Sequence, residues 1–364
     1  MMGSEHSITK FQLVMVLIQT QIGIGLLSLP NVVQESARGD GWISILFAGL
    51  VIQGLLIIYL KLLKRFPNEL FTDITKKLLG KPIGTIVNWG IYGYFMFTGS
   101  TLTILMIKIL NEQLLPLTPG WLISFLILAS CVYLTVSHLR MMARFFVLAT
   151  FWILVLIGIT LLSIWLPKEI QFILPVGSAG VKNILLGSNN ALLAMLGFEA
   201  LLFLFPFVIG KSKGMLKTVS YANLFVTGFY TFVTFLCLVS FSPAQLQQIR
   251  EPVLFLFRGL TYRMVDRLDL IFLSIWIIPM TTSIMMYLFL ASQCVAGRKK
   301  TYKNAVVING IILFCLSFIP QTDQMTDLLT QWISYLSYAI VIALPCVLLL
   351  LSRLVKKHRR GAGV

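Results

Sequence analysis

Residues 19–30 read Gln-Thr-Gln-Ile-Gly-Ile-Gly-Leu-Leu-Ser-Leu-Pro, and this stretch decides the fold. It lies inside a long apolar segment, yet Gly23 and Gly25 weaken a helix there and Pro30 removes a backbone hydrogen bond further on. A helix that is interrupted within a bilayer exposes backbone groups, which is tolerated only where they line a cavity or are covered by protein. The stretch therefore predicts a ligand-lining break, with close helix packing against the glycines as the alternative.

The composition places this segment in a membrane protein. Of the 364 residues, 58% are hydrophobic and 12% are charged, and the mean hydropathy is +0.90, whereas soluble domains are about 25% charged. Windows of about 20 mostly apolar residues indicate ten spanning helices, and no strand alternation is long enough for a barrel. We predict an all-α integral membrane protein with a single transmembrane domain over 1–364. The predicted spans are 10–33, 42–63, 84–108, 119–137, 143–165, 187–209, 218–241, 269–293, 304–320 and 330–353.

The basic charge indicates the orientation in the membrane. A net charge of +16 would suggest a nucleic-acid binder in a soluble protein. Here 21 of the 29 Lys and Arg residues fall in the two termini and in every second loop, all on one side of the predicted membrane. By the positive-inside rule that side is cytoplasmic. We expect both termini in the cytoplasm, a basic cytoplasmic tail over 354–364, contact with anionic membrane lipids, and no nucleic-acid partner.

Span 6 repeats the pattern of span 1. It carries Gly197 near its middle and Pro206 beyond it, and Glu199 between them is the only ionisable residue near the centre of any predicted span. Because five is odd, spans 1–5 and 6–10 have opposite topologies, and interrupted helices at equivalent positions of inverted halves are typical of secondary transporters. We predict repeats over about 8–165 and 183–353. Glu199 is interpreted as a proton-coupling group or a ligand contact, or as a carboxyl bonded to a neighbouring backbone group.

Three stretches resemble the spore-germination permease family, whose members are the B subunits of nutrient germinant receptors in endospore-forming bacteria. They are Ile8-Thr9-Lys10-Phe11-Gln12-Leu13, the stretch 21–30, and Arg267-Leu268-Asp269-Leu270-Ile271-Phe272-Leu273-Ser274-Ile275-Trp276. The resemblance implies membership of the amino acid–polyamine–organocation superfamily and a LeuT-like five-plus-five inverted fold with helices 1 and 6 broken. It also implies a location in the inner spore membrane and two partners, a larger membrane A subunit and a lipoprotein C subunit.

The resemblance further implies a ligand site between spans 1, 3, 6 and 8. Carried over by position, its ligand-binding residues are Gly23, Ile24 and Gly25 of span 1, Tyr94, Thr98 and Thr101 of span 3, Gly197, Phe198, Glu199 and Ala200 of span 6, and Thr281, Thr282 and Tyr287 of span 8. The three span-3 residues are spaced to share one helical face. The span-8 hydroxyls either supply an ion or water path or bond back to their own helix.

Two functions fit these observations. In the first, the protein is a germinant receptor B subunit, in which a small nutrient, an amino acid, binds at the broken helices. The nutrient biases an open–closed equilibrium through its different affinities for the two states, and partner subunits receive the signal. The alternative is a proton-coupled amino acid permease in which Glu199 carries the proton. A membrane enzyme lacks support, because the sequence shows no nucleophile–base arrangement, phosphate loop or metal-ligand spacing. We therefore expect no catalytic activity, no cofactor and no metal.

Overall fold

The computed structural model describes residues 7–23, 25–165, 167–211, 213–259, 267–297, 301–319 and 322–361. Within these ranges the secondary structure is helical, apart from one isolated β-bridge between Ile8 and Val208. The α-helices are α1 (Lys10–Gln21), α2 (Gly25–Ala37), α3 (Gly41–Leu63), α4 (Phe71–Leu79), α5 (Lys81–Gln113), α6 (Gly120–Thr135), α7 (Leu139–Leu162), α8 (Gly180–Ala194), α9 (Ala200–Leu204), α10 (Met215–Ser240), α11 (Pro243–Gln248), α12 (Pro252–Arg258), α13 (Leu268–Ala296), α14 (Tyr302–Leu316), α15 (Asp323–Ser337) and α16 (Leu344–Gly361). Short 3-10 helices cover Arg38–Asp40, Ser163–Trp165, Ile170–Ile173 and Phe205–Phe207, and a π-helix covers Tyr338–Ala343.

The helices account for the ten predicted spans. Span 1 is α1 with α2, span 6 is α8 with α9, and span 10 is α15, the π-helix and α16. The other spans are α3, α5, α6, α7, α10, α13 and α14. Within the described ranges, six helical stretches are long and apolar enough to cross a membrane: Gly25–Leu63, Lys81–Gln113, Leu139–Trp165, Met215–Ser240, Leu268–Ala296 and Gln324–Leu354. The helices α6 and α14 are shorter apolar helices, and the breaks divide spans 1 and 6 into pieces. The predicted fold class is confirmed.

Contacts between the spans follow a two-repeat relation in which span 1 corresponds to span 6 and span 2 to span 7. Corresponding spans pack together, α3 against α10, α5 against α13 and α6 against α14. Span 1 packs on span 7 through α1 and α10, and span 6 packs on span 2 through α8 and α3. Such reciprocal pairs are expected when two halves of opposite topology share an axis in the membrane plane.

Local sequence explains where two helices near the site begin. The Thr9 backbone N–H donates to Gln12 Oε1 (2.9 Å), and the Gln12 N–H donates to Thr9 Oγ1 (3.2 Å), which is a capping box at the start of α1. The helix α5 follows Gly80, whose φ of +86° suits glycine, and it has Pro82 in its first turn, where the missing N–H costs nothing. These signals fix the starts of the helices that carry Gln21 and Thr101.

The helices α11 and α12, between spans 7 and 8, cover the α2 end of span 1. The Asn31 side chain of α2 donates from Nδ2 to the Leu246 carbonyl of α11 (2.5 Å). The helix α12 buries Val253 and Phe257, and the ring of Phe257 lies 4.4 Å, centroid to centroid, from that of Phe272 in α13. Contacts to both α2 and α13 hold this connection in place over the region between spans 1 and 8.

Candidate functional site

The first interruption lies between Gln21, where α1 ends, and Gly25, where α2 begins. Carbonyl groups freed there are held by side chains of spans 7 and 8. The Ser283 hydroxyl lies 3.0 Å from the Gln19 carbonyl oxygen and 3.1 Å from that of Thr20, and Tyr230 donates from its hydroxyl to the Gln21 carbonyl (2.9 Å). The Gly23 carbonyl oxygen, in turn, accepts from Trp276 Nε1 (3.4 Å). The break is thus a defined conformation, in which Tyr230 and Trp276 donate to the Gln21 and Gly23 carbonyls, while those of Gln19 and Thr20 share the single Ser283 hydroxyl proton.

The second interruption lies between Ala194 and Ala200 and directly touches the first. Gly197 has a φ of +124°, a conformation that glycine adopts far more readily than other residues. A Cβ built on Gly197 would lie 2.7 Å from the Thr20 carbonyl oxygen and 3.0 Å from the Gln21 nitrogen. The two breaks therefore meet backbone to backbone, and only a glycine fits between them.

Glu199 lies behind this contact, and both of its carboxyl oxygens accept hydrogen bonds. Its Oε1 accepts from the hydroxyls of Tyr94 (3.2 Å) and Tyr287 (3.0 Å), and its Oε2 accepts from the Gly197 N–H (2.7 Å). The side chain is 1% exposed. The carboxyl group thereby ties spans 3 and 8 to the break in span 6, as a hub that accepts hydrogen bonds from three donors.

A cavity of about 550 Å³ opens beside the first interruption. Its deep end is lined by Thr20, Gln21, Gly23, Gly25, Thr98, Thr101, Ser283 and Tyr287. Its other end is lined by Lys108 near the end of α5, by Arg250 and Glu251 between α11 and α12, and by Asp327 and Ser334 of α15. This second end is the mouth, and it lies on the side that the charge count predicts to be outer. The lining between the two ends is largely apolar, with Leu102, Leu105, Leu193 and Leu196 among it, as is usual for small-molecule sites.

The predicted inner side is closed by contacts between the start of span 1 and the end of span 6. The Ile8 N–H donates to the Phe207 carbonyl (2.9 Å), and the Ile209 N–H donates to the Ile8 carbonyl (2.9 Å). Lys10 Nζ donates to the Lys213 carbonyl (2.6 Å). The structure is therefore open at the mouth of the cavity and closed at the opposite end.

Five of the thirteen residues predicted from sequence line this cavity: Gly23, Gly25, Thr98, Thr101 and Tyr287. Tyr94, Gly197 and Glu199 lie one layer behind, joined to the lining through Tyr287. Phe198 and Ala200 are buried, and the Phe198 ring stacks on Tyr59 at 6.1 Å. Ile24 lies outside the described residues.

The predicted threonines of span 8 point elsewhere. The Thr281 hydroxyl donates to the Ile277 carbonyl of its own helix (2.8 Å), and its own carbonyl lies 3.6 Å from Cys131 Sγ of span 4. Thr282 donates to Gln19 Oε1 (2.7 Å) on the α1 side of the break. The hydroxyl that reaches the cavity is that of Ser283, since successive residues of a helix point about 100° apart.

Gly23 and Gly25 have different surroundings. A Cβ at Gly25 would lie 2.3 Å from the Ala194 carbonyl oxygen, so this glycine permits close contact between α2 and the end of α8. A Cβ at Gly23 would lie 3.3 Å from Ser283 Oγ. The close-packing interpretation thus describes Gly25, while Gly23 belongs to the unwound turn itself.

Several lining residues were not among the predicted site. Gln21 stands in the quoted span-1 stretch and Ser283 in the Thr-Thr-Ser run of span 8, so both were within reach of the sequence pattern. Asn190 of α8 and the face of α15 carrying Thr326 and Thr330 lack a comparable signal. Their contribution depends on how spans 6 and 10 are rotated, which packing decides.

The profile of the family described as "Spore germination protein" matches residues 7–326. The chain belongs to this family. Spore germination protein GerQB of Bacillus cereus is 24% identical over 98% of this chain and 98% of its own length. Spore germination protein YndE of Bacillus subtilis (strain 168) is 27% identical over 99% of each chain. The family predicted from the sequence motifs is therefore confirmed.

Solved structures of other proteins share the fold of this chain. The crystal structure of MhsT in complex with L-phenylalanine matches it with a TM-score of 0.69 at 15% identity, over 95% of this chain and 89% of MhsT. A closed conformation of Mhp1, a nucleobase-cation-symport-1 family transporter, matches with a TM-score of 0.63 at 12% identity, over 95% of this chain and 78% of Mhp1. The chain is an integral membrane protein with the LeuT-type inverted fold. Its family and its structural neighbours are permeases and transporters rather than enzymes.

Proposed function

We propose that this protein is the B subunit of a nutrient germinant receptor, and that a small nutrient, an amino acid, binds in the cavity between the interrupted spans. The observation that carries the proposal is the cavity itself, which ends on the unwound turn of span 1 and opens on the predicted outer side. A nutrient that reaches the spore from outside meets this mouth first. The family supports a role in germination.

Nutrient binding acts by shifting the equilibrium between this conformation and one in which the cavity is closed at its mouth. Such a shift requires that the nutrient binds the two conformations with different affinities. The cavity contacts span 1 on both sides of its break and Tyr287 of span 8, so a bound nutrient touches the elements that would move. A membrane A subunit and a lipoprotein C subunit receive the change in the inner spore membrane, with both termini of this chain in the cytoplasm.

A binding screen on the purified full-length protein in nanodiscs tests this proposal. The twenty amino acids are added singly, and binding is followed by the shift in thermal unfolding temperature. We expect at least one amino acid to stabilise the protein, and we expect substitution of Leu105 by Trp, which fills the cavity between its two ends, to abolish the shift. Stabilisation that persists in Leu105→Trp would place binding elsewhere.

Uptake into proteoliposomes separates the receptor from the permease. The receptor proposal predicts binding without accumulation of labelled amino acid when the protein is reconstituted alone. Accumulation driven by a proton gradient, and lost in Glu199→Gln, would instead establish the proton-coupled permease. Spores that carry Leu105→Trp at normal protein level should lose their response to the nutrient.

A further inference from the structure

The helices α3 and α10, which are spans 2 and 7, present one continuous surface to the bilayer. They lie side by side, and Gln53 of α3 donates from Nε2 to Ser220 Oγ of α10 (2.8 Å). The next residue along each helix, Gly54 or Tyr221, is exposed. Because an even-numbered and an odd-numbered span run in opposite directions, one step along each helix turns to the same side of the contact. The two exposed faces therefore adjoin, and we call them together the α3–α10 surface.

The part of this surface furthest from the predicted inner side is apolar and has two gaps. Leu50 of α3 and Leu224 of α10 are 67% and 71% exposed. Gly54 lies one turn from Leu50, and Gly228 lies one turn from Leu224. A Cβ added to either glycine would have nothing within 4 Å, so both positions leave open space between larger side chains. Such recesses on a membrane-facing surface suit the acyl chains of a lipid.

The end of the surface at the predicted inner side carries two lysines. Lys61 is the third residue from the end of α3, and Lys217 is the third residue of α10. They are the charged residues of these two helices, and both are exposed. Neither ammonium group has a hydrogen bond or an ion pair among the described residues. The two positive charges are therefore available to an anion from the membrane.

Helix geometry brings the two ammonium groups towards each other. From the contact between Gln53 and Ser220, Lys61 is eight residues and Lys217 three residues nearer to the predicted inner side. At 1.5 Å per residue, their Cα atoms are offset by about 7 Å along the helix axes. Side chains lean towards the N-terminus of their helix, which is the predicted outer end of α3 and the inner end of α10. The leaning side chains reduce the offset, so both can reach one phosphate group.

Tyr221 adds a hydroxyl group at the same level. It lies one turn from Lys217 on the same face of α10 and is 66% exposed. Tyrosine rings are common at the level of lipid headgroups, because the ring is apolar and the hydroxyl remains near water. The hydroxyl can donate to a phosphate or glycerol oxygen of a lipid.

We propose that the α3–α10 surface is a binding site for one anionic phospholipid of the predicted inner leaflet. Lys61 and Lys217 bind its phosphate, and its acyl chains fill the recesses at Gly54 and Gly228. Basic pockets between spanning helices on the cytoplasmic side bind anionic headgroups in this way. The site is remote from the nutrient cavity, so the inference does not depend on the proposed function.

Native mass spectrometry of the full-length protein in detergent tests the headgroup site. The protein is titrated with phosphatidylglycerol or with phosphatidylcholine, both with dioleoyl chains. We expect the wild-type protein to retain one phosphatidylglycerol molecule more tightly than phosphatidylcholine. The double variant Lys61→Gln, Lys217→Gln should lower the affinity for phosphatidylglycerol about 5- to 30-fold, at about 1 kcal/mol for each lysine. Its affinity for phosphatidylcholine should stay the same.

The matched control is the double variant Lys76→Gln, Lys303→Gln. It removes the same charge from exposed lysines of α4 and α14, which also lie on the predicted inner side. We expect the control to retain phosphatidylglycerol as the wild-type protein does. An equal loss in both double variants would show that diffuse surface charge attracts the lipid, and it would overturn the site. Equal retention of the two lipids by the wild-type protein would also overturn it.

Leucine at the two glycines tests where the acyl chains lie. The variant Gly54→Leu, Gly228→Leu fills both recesses and should weaken the binding of phosphatidylglycerol. Gly158→Leu is the control, because Gly158 of α7 is exposed and also has nothing within 4 Å of an added Cβ. An affinity unchanged by Gly54→Leu, Gly228→Leu, or reduced as much by Gly158→Leu, would overturn this placement of the chains.

Fluorescence quenching locates the lipid without relying on an affinity. In a background without native cysteines, a fluorophore is attached to Leu224→Cys or, as the control, to Leu148→Cys on the exposed face of α7. Phosphatidylglycerol with a spin-labelled chain should quench the label at position 224 more than spin-labelled phosphatidylcholine does. The two lipids should quench the label at position 148 equally. The same ratio of quenching at both positions would show that the lipid does not bind at the α3–α10 surface.

Discussion

Gly23 and Gly25 belong to one sequence motif, yet the same substitution should have different effects at the two positions. An alanine Cβ at Gly25 meets the Ala194 carbonyl oxygen at 2.3 Å and the Ala194 Cβ at 2.9 Å. The obstacle is backbone, so α2 and the end of α8 must move apart, and overpacking of this kind costs about 1–3 kcal/mol.

At Gly23 the nearest atom to an added Cβ is Ser283 Oγ at 3.3 Å, followed by Met280 Sδ at 3.7 Å. Both belong to side chains that can shift by a few tenths of an ångström. Alanine also has less backbone freedom than glycine in the unfolded chain, which favours the folded state by about 0.4–1 kcal/mol where the native conformation permits it. We therefore expect Gly23→Ala to change the free energy of unfolding by less than about 1 kcal/mol.

The assay is reversible unfolding of the purified protein in mixed micelles with a rising fraction of SDS. Gly228→Ala is the matched control, because Gly228 lies in α10 and has nothing within 4 Å of an added Cβ. We expect Gly25→Ala to be clearly the least stable of the three variants. Equal stability of Gly25→Ala and Gly228→Ala, or a larger loss in Gly23→Ala than in Gly25→Ala, would refute the reasoning.

Three further predictions concern the layer behind the cavity, the inner closure and the mouth. Glu199→Gln should lower the free energy of unfolding by about 1–3 kcal/mol in the same SDS assay. The glutamine amide nitrogen cannot accept a hydrogen bond, so a donor that now bonds to Glu199 loses its acceptor. Ile8→Pro removes the N–H that donates to Phe207, so the cysteine of Met215→Cys, at a position now 1% exposed, should be labelled faster from the predicted inner side. Burial raises the pKa of the Glu251 carboxyl, and the neighbouring Glu112 carboxylate raises it further. Because the folded protein holds this proton more tightly than the unfolded chain, Glu251 contributes to stability fully below pH 4.5, its ordinary pKa, and this contribution is lost as the pH rises through the folded pKa. Glu251→Gln should therefore flatten the dependence of the unfolding temperature on pH.

Each of these predictions has a contrary result. Tyr287→Phe removes one donor and leaves Glu199 with two, so it should cost less than Glu199→Gln, and the reverse order would argue against the hub. Ile8→Ala keeps the N–H, so labelling as fast as in Ile8→Pro would show that the backbone contact does not close the inner side. An unchanged pH dependence in Glu251→Gln would show that this carboxyl does not titrate differently in the folded protein.

The ten spans and the two interruptions could be predicted because hydropathy and helix breakers act locally. The break in span 1 lies between Gln21 and Gly25, inside the quoted stretch 19–30, and that in span 6 contains Gly197. Both follow from the properties of glycine in its own segment of chain. Tyr94, Thr98, Thr101 and Tyr287 were implied by the resemblance to the family, and the spacing of the first three also places them on one helical face.

Which hydroxyl of span 8 faces the cavity could not be predicted, because three successive hydroxyl residues point in three directions. Thr281 faces span 4, Thr282 bonds to Gln19, and Ser283 reaches the cavity. The rotation of α13 decides among them, and long-range packing against α5 and α7 sets that rotation. The bond from the Gly197 N–H to Glu199 fits the interpretation of a carboxyl bonded to a neighbouring backbone group. The two tyrosine donors could not be predicted, since they are 105 and 88 positions away.

In the proposed receptor, the turn between Thr20 and Gly23 would connect nutrient binding to the rest of the molecule. Thr20 carries the backbone contact with Gly197, and the Gln21 carbonyl is held by Tyr230 of span 7. Gln21 of the same turn is one of the residues that line the cavity. In the proposed receptor, a nutrient bound against this turn acts on a segment whose backbone is fixed by spans 6, 7 and 8, and it cannot shift that turn without changing these contacts. Because these contacts join the two halves of the protein, a difference in ligand affinity between conformations becomes a difference in how the halves are held together.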